Sequence, residues 1–235
     1  MPPYEVQPCD AAHAQGIANA NMRAFNQDPH WRLVWPKTLT VEDLVEGNAG
    51  RLPKLLSNNR ETTRHEMAVD TETGEVVGYA RWVFLHCTGS EEFWKQAQTK
   101  EPTKEEAAEA ERLFKLHTDE QGRTKYVNRE ITSFYGELLH EETQKVVQGR
   151  PFLELDHIGT LPSHGRRGVG GMLLDRGVAQ ANALGLPIFV MAYPYGTGLY
   201  TKHGFKLMST VTVDYSKYSD IGPQTVSYFV KEPES

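Results

Sequence analysis

The stretch 152–184 constrains this chain more than any other. An apolar run over 152–161 breaks at Pro162-Ser163-His164, passes through Gly165-Arg166-Arg167-Gly168-Val169-Gly170-Gly171, and continues as a helical pattern to about residue 184. A strand that turns through glycines into a helix gathers unpaired backbone N–H groups and the positive end of the helix dipole at one point. Glycines there let a phosphate approach the main chain, and Arg166 and Arg167 can add charge-assisted contacts. The same turn is also the ordinary way to connect a strand tightly to a helix. A P-loop requires Gly-Lys-Ser/Thr after its first glycine, and no such lysine is present. A dinucleotide-binding unit would continue into further βαβ repeats. Here the next strand, 188–192, leads instead to Tyr195-Gly196-Thr197-Gly198-Leu199-Tyr200 and two closing strands.

Hydrophobic periodicity organises the rest. Asp10 is placed to cap a helix over 10–25 that carries Ala14, Ile17, Ala18, Met22 and Phe25. An aromatic loop over 28–36 precedes a second helix over 41–58, interrupted near residues 47–50 and at Pro53. The period then switches to two, predicting strands at 66–70 and 75–85 around a turn at 71–74. Residues 89–150 are rich in Glu, Lys, Gln and Ala and predict two or three inserted helices. After strand 188–192, a short helix at about 198–203 and strands at 205–215 and 226–230 complete the chain.

With 235 residues, the expectation is one domain, 1–235, carrying a helical insertion at about 89–150. No apolar run is long enough to span a membrane, and the first residues lack a basic stretch followed by an apolar one, so a cytoplasmic protein without a membrane partner is expected. Cys9 and Cys87 are far apart and form no zinc-type spacing, and the histidines, including His65, His86, His117 and His140, show no metal-ligand pattern. No metal is expected. The net charge of -6 argues against a nucleic-acid partner and is compatible with a cationic amine.

Two motifs resemble the GNAT superfamily of N-acetyltransferases. The first is the segment from Leu155-Asp156-His157-Ile158-Gly159-Thr160-Leu161 through Gly171-Met172-Leu173-Leu174, similar to the family's strand and pyrophosphate loop, Q/R-x-x-G-x-G/A. Gly165 departs from it, standing where the family has Gln or Arg. The second, Gly198-Leu199-Tyr200-Thr201-Lys202-His203-Gly204-Phe205, is similar to the family's LYxxxGF signature. The resemblance covers about residues 10–230 apart from the insertion, and the wording most resembles small acetyltransferases common in fungi. It implies an α/β fold: a mixed, mostly antiparallel central sheet with a splayed parallel strand pair and helices on both faces.

The resemblance further implies acetyl-CoA as co-substrate and a small-molecule amine as acceptor, with direct transfer in a ternary complex. Ile158, Gly159, Thr160 and Leu161 would form the strand edge for the pantetheine arm. Gly165, Arg166, Arg167, Gly168, Val169, Gly170 and Gly171 would hold the pyrophosphate. Tyr200 stands at the family's catalytic tyrosine, as acid toward the departing thiolate, or else as a ring packed beneath the donor. Glu154 and Asp156 occupy strand positions where several branches place a base. Period-two alternation puts both on one face and His157 on the other. The alternative is a structural pair hydrogen-bonded to the neighbouring strand. Trp31, Trp35, Trp82 and Phe84 are aromatics near the expected acceptor cleft, and the insertion is expected to wall it. His203 is a surface or donor-side residue. Homodimers are common in the superfamily and compatible with this reading. The rival functions are an acyl-CoA-binding module without transfer, or an acyltransferase using a longer chain or a hydroxyl acceptor.

Overall fold

The structure, a computed structural model, describes residues 3–234. Strands β1 (Tyr4–Pro8), β2 (Thr63–Asp70), β3 (Val76–Leu85), β4 (Phe152–Thr160), β5 (Ile188–Ala192), β6 (Lys206–Val213) and β7 (Gln224–Lys231) form one sheet in the order β1-β2-β3-β4-β5-β7-β6. Every neighbouring pair is antiparallel except β4 and β5. The fold class expected from the sequence is the one observed. The edge strand β1, whose Tyr4 pairs with Asp70 and Pro8 with Glu66, carries too short a pattern to have been read from sequence. Its proline sits at the end of an edge strand, where a missing N–H is tolerated.

Helices α1 (Ala14–Phe25) and α3 (Val41–Ser57) pack together on one face, burying Ile17, Ala18 and Met22 against Leu44, Val45, Leu52 and Leu56. Asp10 caps the 3-10 turn that leads into α1 rather than α1 itself, and Thr40 with Asp43 forms a capping box at α3. The break expected within α3 is absent: the helix runs unbroken through Pro53. Proline already has a helical φ, and the apolar flank buried on α1 outweighs its missing hydrogen bond. A short helix, α2 (Pro29–Leu33), forms where the sequence suggested a loop, with Asp28 capping it through the His30 N–H at 2.8 Å.

The opposite face is covered by α6 (Val169–Leu184) and by α7 (Pro194–Lys202), whose Leu173, Leu174, Ala181 and Tyr200 join one core with Trp82, Phe84, Leu153, Leu155 and Val190. The insertion supplies two α-helices. Its first residues are pinned by the fully buried Arg64, whose guanidinium donates to the carbonyls of Arg60, Thr63, Ser90, Phe93 and Trp94. Helix α4 (Lys104–Leu116) leans on α3 through Lys54–Glu111 at 2.6 Å. Helix α5 (Arg129–Val147) buries Ile131, Leu139 and Val147 against Phe152, Phe189, Val213 and Tyr228 of the sheet.

The seam between α6 and β3 leaves no room for a side chain at Gly177, where an added Cβ would lie 2.1 Å from the buried Trp82 ring. In an exposed helix, Gly→Ala stabilises by about 1 kcal/mol. At this position overpacking reverses the sign, and Gly177→Ala is expected to cost about 1–3 kcal/mol and lower Tm by roughly 2–10 °C. Thermal unfolding of the variant checks this; an unchanged or raised Tm would mean that the helix stands off the sheet.

Candidate functional site

Strands β4 and β5 are paired only at Leu153 with Ile188 and Glu154 with Phe189. Beyond that point they part, so the remainder of β4 keeps β3 on one side and has no strand on the other. The gap opens a cavity of about 520 Å³. It is lined along β4 from Leu155 to Thr160, along β5 by Val190, Met191 and Ala192, and by Tyr200, Leu199 and Gly170 from the helices.

One end of the cavity reaches the glycine turn. Gly168 caps α6 with φ +90°, a left-handed conformation that suits glycine, and no side chain occupies the cap. The N–H groups of Val169, Gly170 and Gly171 therefore begin the helix without intrahelical partners, at the positive end of its dipole. Gly170 borders the passage from turn to cleft, where an added Cβ would lie in van der Waals contact, 3.6 Å from both Thr160 and Leu199. Arg166 and Arg167 are exposed beside it. This arrangement can hold a phosphate diester in a shallow cradle of amides and let the rest of the molecule run into the cleft along β4.

At the apex, β4 carries a bulge. Arg81 pairs with His157 and Trp82 with Leu155, which leaves Asp156 as the extra residue. The bulge breaks the alternation assumed from sequence. His157 is turned to the face of α1, with its ring 4.6 Å from Phe25 and 5.8 Å from Tyr79, and so shares that face with Asp156, whose carboxylate is paired with Arg81. The expectation that His157 points away from the carboxylates is thereby corrected. Burial, reinforced by the charge of Asp156 and opposed by Arg81, pushes the Glu154 carboxyl up to about 7. Burial and the Arg81 charge hold His157 down to about 4, so its imidazole is neutral, and its Nε2 has no hydrogen-bond partner. Burial pushes the Tyr200 phenol well above its ordinary range, which keeps its proton in place at neutral pH.

Solved structures with a similar fold are known. The C-terminal condensation domain of Ebony in complex with beta-alanyl-dopamine is similar over 99% of this chain and 100% of that chain, with a TM-score of 0.63 and 15% identity. Arylalkylamine N-acetyltransferase 2 from Aedes aegypti is similar over 98% and 99%, with a TM-score of 0.57 and 11% identity. A Drosophila melanogaster polyamine N-acetyltransferase is similar over 97% and 99%, with a TM-score of 0.54 and 13% identity. The chain has the GNAT fold. No family model matches the sequence, and no curated protein does.

On the GNAT frame, the residues singled out from sequence fall into separate places. Asp156, Ile158, Gly159, Thr160, Gly165, Gly170, Tyr200 and Trp31 line the cavity. Glu154 lies one step below, where β4 and β5 still pair. Trp82 and Phe84 lie on the α6 face, buried against Gly177 and Phe93, away from the cavity. The Trp35 ring lies 5.5 Å from that of Trp31, tilted at 51° to it, and turns toward a second pocket between α3 and residues 116–126. His203 is tied to Leu199 and Asp175 on the α6 and α7 side. Sequence reading missed Phe25, Asp28, Tyr135, Tyr193 and Tyr215, which line the cavity from α1, its following turn, the insertion and the strand ends. Phe25 was legible only as part of the helical pattern over 10–25 and Asp28 only as the start of the aromatic loop 28–36; nothing local marked the tyrosines.

The cluster makes a checkable electrostatic claim. Because Arg81 depresses His157 and lowers Glu154, Arg81→Gln is expected to move the His157 midpoint upward from about 4. Histidine ring signals followed by NMR titration check it, and an unmoved midpoint would mean that burial alone governs the site.

Proposed function

We propose that the protein is an acetyl-CoA-dependent N-acetyltransferase that acts on a small amine by direct transfer in a ternary complex. One observation carries this reading: a single cavity joins the open N-terminus of α6 to the parted strands, beside a carboxyl raised to about 7 and a buried, protonated tyrosine. The fold's occurrence in enzymes described as polyamine and arylalkylamine N-acetyltransferases supports the choice of an amine acceptor.

The residues divide the work. Main-chain groups on the free edge of β4 over 158–160 would pair with the pantetheine arm as an added strand does, and the turn 165–171 would take the pyrophosphate; Leu161, expected from the sequence to join that edge, has its N–H bonded to the Val77 carbonyl and its own carbonyl to the His164 N–H. An alkylamine is mostly protonated at neutral pH and must become neutral before it can attack the thioester carbonyl. Glu154, one step below the cavity, takes that proton through a water at Asp156, since a base near 7 can both accept and release it. As the new C–N bond forms and the C–S bond breaks, Tyr200 gives its proton to the departing sulfur, the nitrogen loses its second proton to solvent to become the amide, and solvent returns one to the phenolate. The second reading, transfer of an acyl group other than acetyl, has one observation in its favour, the TM-score of 0.63 to a domain that holds beta-alanyl-dopamine. A panel of acyl-CoA donors separates the two.

Amine-dependent thiol release from acetyl-CoA tests the reaction. Tyr200→Phe is expected to lower kcat by about 10²-fold with little change in KM for acetyl-CoA. A Tyr200→Phe enzyme with full kcat would reduce the tyrosine to a packing role, and no release with any amine would remove the transferase reading.

The pH dependence tests the base. Wild-type kcat/KM should rise as pH increases through about 7 and then level, whereas Glu154→Gln should lose that limb along with about 10²-fold in rate. Stability should move oppositely. With its folded pKa above the unfolded value, Glu154 binds its proton more tightly in the native state, so this contribution is full below about 4.5 and is lost as pH climbs through 7. Glu154→Gln should therefore raise Tm at pH 8 relative to wild type by more than it does at pH 5. Equal shifts at both pH values would contradict a raised Glu154.

A further inference from the structure

The far arm of the cavity is built differently from its apex. Three tyrosines from three elements meet there: Tyr135 from α5, Tyr193 at the end of β5 and Tyr215 after β6. The Tyr135 and Tyr215 rings lie 5.9 Å apart, and His30 lies 5.1 Å from Tyr215. Among them is Asp28, only 7% exposed. Its Oδ2 accepts from Gln224 at 2.8 Å and its Oδ1 from the His30 N–H at 2.8 Å, with His30 Nδ1 3.4 Å away. Among the described residues that line the cavity there is no lysine or arginine. Asp156, the other lining carboxylate, has the Arg81 guanidinium as its counter-ion; the basic group beside Asp28 is the His30 imidazole, whose Nε2 meets the Gly222 carbonyl at 3.1 Å. A buried carboxylate among aromatic faces favours a cation, which gains from the charge and from the rings.

We propose that the acceptor carries two cationic groups: the amine that reacts at the apex, and a second ammonium or guanidinium held by Asp28 within Tyr135, Tyr193 and Tyr215. This rests on the transferase reading and narrows its substrate to a diamine or guanidino-amine. An uncharged aromatic tail would satisfy the rings but would leave the Asp28 carboxylate with no positive group other than the His30 imidazole, which is why the dication is the better fit.

The experiment compares 1,4-diaminobutane, 1-aminobutane and 2-phenylethylamine in the thiol-release assay, on wild type and Asp28→Asn. Asparagine keeps the capping oxygen of α2, so the variant should fold, and its Tm reports whether it does. For wild type, kcat/KM for the diamine should exceed that for 1-aminobutane by about tenfold or more, and in Asp28→Asn the ratio should fall toward 1 through KM. Equal use of the monoamine, preference for 2-phenylethylamine, or a ratio unchanged in Asp28→Asn would overturn the proposal. Calorimetric titration of 1,4-diaminobutane in the presence of non-reactive CoA keeps the two readings separable. Diamine binding that Asp28→Asn weakens, without any thiol release, would remove the transferase and keep the cation site. Thiol release with monoamines, without any diamine preference, would do the reverse.

Discussion

The divergence of β4 from β5 is the constraint on which the rest depends. A parallel pair that continued past Glu154 and Phe189 would close the sheet and bury both strand edges; because it stops, one edge of β4 is left to whatever occupies the gap. The bulge at Asp156 lies next to that parting and raises the local twist, which helps turn the free end of β4 away from β5. Everything assigned to the site is arranged around the resulting V. The glycine turn continues from the free end of β4, α7 brings Tyr200 across the opening, and α1 and the insertion close it from the other face.

The protein tolerates several buried charges by giving each a specific arrangement. Arg64, fully buried, is solvated by backbone carbonyls and lowered to about 10, so it remains charged while tying the insertion to β2. Glu66 is buried against Arg176 of α6. At the apex, one Arg81 stands between Asp156, Glu154 and His157, and the balance leaves a carboxyl near 7 beside a neutral imidazole. A hydrophobic site with one isolated acid could reach the same pKa only by desolvation. Here neighbouring charges set it as well, which ties the acid–base behaviour of the site to the register of β3 against β4.

Much of the fold was legible because its signals are local. Helix α6 and strand β5 were bounded by Gly168, Gly185 and Pro187, and the period-two runs over β2 and β3 and the glycine turn could be read directly. What escaped depends on contacts distant in sequence. The bulge is a relation between Arg81, Trp82 and three residues of β4, so alternation alone misplaced His157. Trp82 and Phe84 looked like cleft aromatics, yet strand parity put them under α6 against Gly177. Asp28 read as a loop residue, and only the fold brings it to Gln224, Tyr193 and Tyr215. Continuity of α3 through Pro53 was decided by packing on α1, which no local propensity reports.

The central claim is that the acyl donor lies along the free edge of β4 with its phosphates at the start of α6. Amide hydrogen exchange with and without acetyl-CoA tests it most directly. Slowed exchange confined to about 158–160 and 168–171 is the predicted result. Unchanged exchange there, or protection only around the separate pocket between α3 and residues 116–126, would contradict the account.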